Sequence, residues 1–549
     1  MQIGDEVKQH FAQLNMLYQK ALASSDSAVH VSGMRAISSY LGMCDTLKEL
    51  KPLQAMLPAM LAALGTALQT DEANARAMLD SLIEIAGLHA KFFKPQLKEL
   101  AGAMLEHVTM NKNLEPATRR LGLELLVEMA ERGPGMIKKT QGLIQQLVAV
   151  SFAMMVESVD AAVDFDTWIK WEDTDGDAEG GGDDEGDEDA AGNFDHALES
   201  LDRLAVALGG AKMMPELFVF IPDFLQHADW RYRLAALYGV SQTCEGCYKE
   251  IKKHLGQVVP LVMRLLNDQH ARVRWAAINC LGQLSTDLGP LLQQQFHQDV
   301  MPALTLAMSA EREPVLRVRA HAAAASINFC EHADAALLQP YLEGLLVQLA
   351  SLMQTQHRQA SQQAVTSVAA IALAIGELFR PYYPEFMPRL MQVLSLPLQQ
   401  LGAKMRGKTL ECISLVGVAV GPDIFREDAK QTMALIVSQM QAAQGGAEAA
   451  VDEEHMNYLH QACGRICRAL KNEFVPYLPA LLPGLFRSVA ATPDMKLADD
   501  DADDAEFDGM ETVQVLPLPD LIYCHGNDCT RAMLPMPWTV KYFSRRQAD

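Results

Sequence analysis

The passages ADWRYRLAALYGVSQTCEG (228–246), NDQHARVRWAAINCLGQLSTD (267–287) and REPVLRVRAHAAAASINFCE (312–331) are three variations on one pattern. Each opens at an acidic turn, passes an arginine (Arg233, Arg274 or Arg319) and enters a run of small residues. The run closes on an acid: Glu245, Asp287 or Glu331. A period of roughly 40–47 residues is that of HEAT and armadillo arrays, in which a helix pair cannot bury its apolar face alone and stacks on its neighbours. The expected fold is therefore all-α: a HEAT-repeat α-solenoid, a right-handed superhelix of antiparallel helix pairs with an acidic disordered insertion.

Composition agrees. A chain of 549 residues exceeds the size at which one core keeps growing, which leaves several domains or a solenoid. Hydrophobic residues make up 49% but aromatics only 6%, a balance that favours close-packed helices over sheets. A net charge of −23 argues against direct nucleic-acid binding, which needs a basic surface, and favours basic partners. Ten cysteines without a framework spacing fit a reducing compartment. No signal peptide and no uninterrupted apolar span are read, so no membrane partner is expected.

Working outward, prolines such as Pro52, Pro95 and Pro116 stand where helices should begin, since the first turn tolerates the missing N–H. Helical pairs fill 1–167. The segment WIKWEDTDGDAEGGGDDEGDEDAAGN (168–193) is too acidic and glycine-rich to bury a core and reads as a solvated, mobile insertion. Repeats resume over 194–495, followed by an acidic linker at 496–512. The remainder, 513–549, has no helical periodicity and reads as a disordered tail outside the pattern.

Motifs with chemistry are few. Gly402 to Thr409 fits G-x-x-x-x-G-K-[ST], but a phosphate-cradling loop needs a strand before it, and helix-type sequence precedes this one. Cys244 and Cys247 form a lone C-x-x-C, read as core cysteines. Cys463 and Cys467 lie one turn apart. His455 and His460 miss the i,i+4 spacing of a helical zinc site. The acidic insertion fails the calcium-loop pattern in either register, because Ala178 or Gly186 occupies a required position. No catalytic residue, metal site or cofactor is expected.

The more informative constellation is a ladder of acids at the ends of successive inner helices: Glu245, Asp287, Glu331 and Glu377. An acid in a last turn faces the negative end of the helix dipole, so four of them are not explained by helix stability. They suit an extended chain carrying lysines, as a spaced row along one surface. Asn279 and Asn328 are placed to hold that chain's backbone, and Trp230 and Trp275 to pack against lysine stems. Filling of the inter-repeat core is an equal reading for both tryptophans.

At these residues the chain resembles the importin-beta (karyopherin-beta) family, in its importin beta-3 branch. DWRYRLAAL, RVRWAAINCLGQLSTD, RVRAHAAAASINF and RGKTLECISLVGVAVG carry the likeness in order, with ALESLDRLAVALGG and ICRALKNEFVPYLP. The likeness runs from about Gly4 to Val515. It implies a nuclear transport receptor that binds basic cargo on its concave face and phenylalanine-glycine nucleoporins on its convex face. GTP-bound Ran would release the cargo, and the receptor would shuttle between cytoplasm and nucleus. The branch implies ribosomal proteins and histones as cargo. By the same resemblance the acids Glu172, Asp173, Asp175, Asp177, Glu179, Asp183, Asp184, Glu185, Asp187, Glu188 and Asp189 are a Ran-contact or cargo-release loop. Family members carry further repeats on both sides, so the chain reads as a central fragment with weakened Ran binding. A HEAT scaffold without a transport role is the rival reading.

Overall fold

Acidic turns and prolines cut the chain into helices much as their chemistry requires. Pro116 and Pro422 each occupy the first position of a helix, where no N–H is missed. Asp268 sits in the turn before another and accepts the backbone N–H of His270 at 2.8 Å. A computed structural model describes residues 7–44, 46–162, 165–171, 188–396, 401–444 and 453–482. Among them all regular structure is helical. The expected linker and tail (496–512 and 513–549) lie outside these residues, as does most of the expected insertion.

The longer helices run in this order. The first six are α1 (Phe11–Leu22), α2 (Ser27–Leu41), α3 (Leu57–Thr70), α4 (Glu72–His89), α5 (Pro116–Arg132) and α6 (Leu143–Ala162). Then come α7 (Phe165–Lys170), α8 (Glu188–Leu208), α9 (Gly210–Phe224), α10 (Trp230–Leu265), α11 (Ala271–Asp287) and α12 (Leu291–Met308). The rest are α13 (Leu316–Glu331), α14 (Leu342–Met353), α15 (Arg358–Ile375), α16 (Tyr383–Leu394), α17 (Ala403–Val420), α18 (Pro422–Gln444) and α19 (Glu453–Leu470).

In the first compact unit, Met1–Phe425, one helix of each pair stacks on the next. The stacking layer runs α2, α4, α5, α8, α10, α11, α13, α15, α17, and each packs on its successor. Helices α1, α3, α6, α9, α12, α14 and α16 flank it, one against each partner. Small residues let the stacking helices approach closely. A Cβ on Gly246 of α10 would run into the Ala205 backbone of α8, and one on Gly239 would meet the ring of Phe152 on the flanking α6 at 2.6 Å.

Helix α10 joins both layers. Its span of 36 residues would make a straight rod about 54 Å long. Yet Arg233 near its start grips Asp268, just past its end, at 2.7 Å. Val240 and Val262 also line one small cavity. The chain therefore doubles back, with Thr243 and Ile251 lining that cavity from the two arms and Glu245 between them in sequence.

The arginines of the repeat tie neighbouring pairs. Arg233 holds Asp268 through two bonds of 2.7 and 2.8 Å, and Arg274 holds Glu313 at 2.6 and 2.8 Å. Arg119 holds Glu157 at 2.9 and 3.1 Å, and Arg76 binds Glu115. Each of Arg233 and Arg274 also donates to two backbone carbonyls of the turn before its own helix. Asp268 and Glu313 are almost wholly buried, so their pairing is obligatory rather than decorative.

Two stretches, Ala335–Met353 and Arg358–Phe379, are apolar and long enough by composition to cross a membrane, contrary to the sequence expectation. They contain α14 and α15, and 39% and 50% of their apolar windows are buried within the chain. The second unit, residues 426–549, is described only in part. There α19 carries His455 beside Gln439 at 3.1 Å, and Arg426 pairs with Glu473 at 2.6 Å.

Candidate functional site

The acids expected at helix ends divide into three cases. Asp287 and Glu331 are the last residues of α11 and α13. Glu377 lies just beyond α15, in a 3₁₀ turn (Gly376–Phe379), exposed and 3.1 Å from Arg380. Glu245 is exposed within α10, whose helical span runs past it to Leu265 although the chain folds back just beyond it.

Asp287 and Glu331 are held in register from below. Gln293 of α12 is fully buried, and its amide N–H groups donate to the carbonyl of Ser285 at 2.8 Å and of Phe329 at 3.4 Å. These carbonyls belong to the last turns of α11 and α13, where no intrahelical donor remains. One side chain thus ties together the two helix ends that carry the acids. Asp287 also accepts from Gln283 at 2.9 Å and lies beside the Cys244 thiol.

Along α11 the residues Trp275, Asn279, Gln283 and Asp287 follow at i,i+4 spacing and form one half-buried stripe. The facing stripe on α13 holds His321, Asn328 and Glu331. His321 stacks on Trp275, ring centroids 3.9 Å apart and planes 21° from parallel. Its Nε2 donates to Asn279 Oδ1 at 3.2 Å. Asn328 lies over Gly282, where a Cβ would come within 3.2 Å of its amide nitrogen. The structure thus gathers Trp275, Asn279, Asn328, Asp287 and Glu331 on two adjacent helices.

Trp230 belongs elsewhere. It opens α10, at the opposite end of the stacking layer, and lies flat on His270 at 3.8 Å and 6°. The other side of His270 meets Phe165 at 4.4 Å. Phe165 introduces the largest departure from the sequence reading. Trp168 to Trp171, assigned to a solvated insertion, are packed against the chain. The Trp168 ring has the Arg272 guanidinium at 5.6 Å and that of Arg317 at 5.0 Å. It is only 9% exposed. Arg317 donates to the Trp168 carbonyl at 3.4 Å, and His357 to the Trp171 carbonyl at 2.6 Å. Trp171 also stacks on His357 at 4.2 Å. Because His270, Arg272, Arg317 and His357 stand at the starts of α11, α13 and α15, α7 and Trp171 form a strap across three helix N-termini. Acid content dominated the sequence window and hid the two anchoring indoles.

The insertion is also shorter than expected, since α8 begins at Glu188. Buried Asn193 receives Arg120 at 3.3 Å, and Phe194 meets Tyr238 edge-on at 5.4 Å. Of the expected Ran-contact acids, Glu172, Asp173, Asp175, Asp177, Glu179, Asp183, Asp184, Glu185 and Asp187 lie outside the described residues. So do the side chains of Glu188 and Asp189.

The remaining motifs carry no chemistry here. Gly402 caps α17, Lys408 sits inside that helix 3.4 Å from Glu411, and Thr409 is buried, donating to the Met405 carbonyl. Among the described residues no strand precedes it, so no loop converges on a phosphate. Cys244 and Cys247 are buried, and burial pushes the Cys247 thiol up to about 12. Among the described residues no group of His, Cys, Asp or Glu has metal-binding geometry.

Comparison with known proteins places these features. Family profiles match in series: "IPO5-like, TPR repeats" over 2–103, "Importin repeat" over 111–215, "HEAT-like repeat" over 230–284 and "Importin subunit beta-1-like, TPR repeats" over 322–463. Importin subunit beta-3 of Saccharomyces cerevisiae is 33% identical over 502 residues, covering 91% of this chain and 44% of the relative. The probable importin-5 homolog of Dictyostelium discoideum is 24% identical over 486 residues, covering 87% and 42%. The chain thus spans less than half the length of these relatives. Among solved structures, Kap121p bound to Pho4p superposes with TM-score 0.78 at 33% identity, covering 88% of this chain and 44% of that one. Kap121p bound to Nup53p gives the same values. A Kap121p variant with three acids changed to lysine gives TM-score 0.77, with the same identity and coverage.

Proposed function

This chain belongs to the importin-beta family, in its importin-5-like branch, and from that premise we propose that it is the cargo-binding part of a nuclear import receptor. Its ligand is a lysine-rich nuclear localisation signal, of the kind borne by ribosomal proteins and histones. One observation carries the reading: the paired stripes on α11 and α13, ending in Asp287 and Glu331 and lined by Asn279, Gln283 and Asn328.

Stacked helices lie about 8–10 Å apart. A chain in the polyproline II form repeats every three residues and rises about 3.1 Å per residue, so lysines three positions apart share a face and match that interval. Each acid adds to the partial negative charge at its own helix C-terminus, and a bound ammonium relieves both. The half-buried amides supply donors and acceptors for the ligand backbone, which no acidic patch alone provides. Trp275 offers an indole near the other end of the stripe.

The solved complexes of Kap121p with Pho4p, Ste12p and Nup53p support cargo and nucleoporins as partner classes. The lysine variant of Kap121p fits a role for acids in that receptor. Phenylalanine-glycine nucleoporin binding, release by Ran–GTP through the acidic run at 172–189, and shuttling between cytoplasm and nucleus complete the proposal. The test is a titration with a fluorescent lysine-rich peptide. Asp287→Lys with Glu331→Lys is expected to weaken binding by about 100-fold, about tenfold for each ammonium–carboxylate pair removed. Undiminished binding would sink the reading and leave a scaffold that captures folded proteins.

A further inference from the structure

We propose that His321 is a positioning residue of this surface, fixing Trp275 and Asn279 in the orientation that a ligand backbone meets. The proposal rests on the cargo-binding reading above and adds a residue that neither touches the acids nor carries charge to the ligand.

Geometry gives the role. His321 stands on α13 and reaches across to two residues one turn apart on α11. Its ring covers one face of the Trp275 indole at 3.9 Å, which fixes the plane of that side chain. Its Nε2 donates to Asn279 Oδ1 at 3.2 Å. An asparagine amide has one acceptor oxygen and one NH₂ with two donors. With the oxygen engaged, the NH₂ remains, so Asn279 is set as a donor toward a backbone carbonyl. Burial and the nearby Arg317 disfavour the imidazolium, which keeps the ring in the neutral form that can hold this bond without adding a cation.

The trio is not part of the repeating framework. The register set by Arg233, Arg274 and Arg319 puts Leu234 and Ala320 where Trp275 stands. It puts Tyr238 and Ala324 where Asn279 stands, and Ala235 and Ala276 where His321 stands. Those repeats stack without the trio. A structural staple would recur with the arginines, whereas this cluster occurs once, on the helix pair that ends in Asp287 and Glu331.

The experiment uses the full chain and the same lysine-rich peptide, followed by fluorescence polarisation, with thermal melts as a folding check. His321→Phe keeps the aromatic stack and removes the donor; it is expected to weaken binding about tenfold, the size of one lost hydrogen bond to a half-buried amide. Asn279→Ala should weaken it to a similar extent, and His321→Phe should add nothing in that background. His321→Gln, which restores an N–H donor, should recover most of the loss. Wild-type affinity in His321→Phe, or losses that multiply in the double variant, would overturn the positioning role while leaving the cargo reading intact. Failure of the unmodified chain to bind the peptide would overturn both.

Discussion

The two ends of the stacking helices have opposite characters. At the N-terminal ends of α11, α13 and α15, the side chains of His270, Arg272, Arg317 and His357 hold a strap of the chain itself. At the C-terminal ends of the same helices, Asp287, Glu331 and Glu377 project from or just past the last turn. The N-terminal end is already satisfied. Carbonyls and indole faces from the strap meet cationic side chains where the helix dipole is positive. The acids at the other end oppose their dipoles, an arrangement that favours an arriving cation over an isolated chain.

Both ends depend on the same arginine staples, so breaking a staple should erase the comparison altogether. Glu313→Ala leaves the Arg274 guanidinium buried without its partner, and the expected loss is about 3–5 kcal/mol. Urea unfolding with hydrogen exchange over α11 and α13 would register it; protection equal to the unmodified chain would show the staple to be dispensable. Trp168→Ala should affect the N-terminal end alone. It removes a nearly buried indole and two guanidinium contacts, at a cost of about 3 kcal/mol confined to the strap. Trypsin cleavage after Lys170 should then accelerate, with peptide affinity changing less than about twofold on the additivity expected for separated sites.

A pH series sharpens the picture of the stripe between the ends. Burial and Arg317 push the His321 imidazole down to about 3, well below its unfolded value. Between these values the unfolded chain binds the extra proton, so stability falls as pH drops from about 6.5 toward 3. The contribution of this one group reaches about 2 kcal/mol at pH 5, and His321→Phe should remove that part of the slope. The smallest effect belongs to the acids. Glu331→Lys should leave the melting temperature unchanged or slightly raised, by about 0.3–1 kcal/mol of relieved dipole repulsion, even as it impairs peptide binding. A clear drop in melting temperature would mean that Glu331 serves the fold.

Much of this was legible in the sequence, but unevenly. Periodic small residues announced the stacking helices, and the arginines at fixed offsets marked each repeat, though not that Arg233 and Arg274 reach the acid of the next turn while Arg319 turns back to the Met308 carbonyl. Asp287 and Glu331 were placed correctly because a break in local helical pattern follows each of them. Glu245 lies inside the span of α10, because the fold-back there leaves no loop between the two arms to mark a boundary. Gln293 and His321 were missed for a different reason. Apart from Ser285, their partners lie 36 to 46 residues away on other helices, and no local spacing records a contact of that range.

The sequence by itself determined the repeat, the helical class and the sign of the surface, because each depends on composition and on periods shorter than one helix pair. Tertiary structure alone decided which acids stand on a tied pair of helix ends and which tryptophan joins them. It also decided that the first residues of an acidic segment are bound rather than free. Those outcomes follow from how neighbouring repeats pack, and packing between repeats sets distances that no single repeat contains.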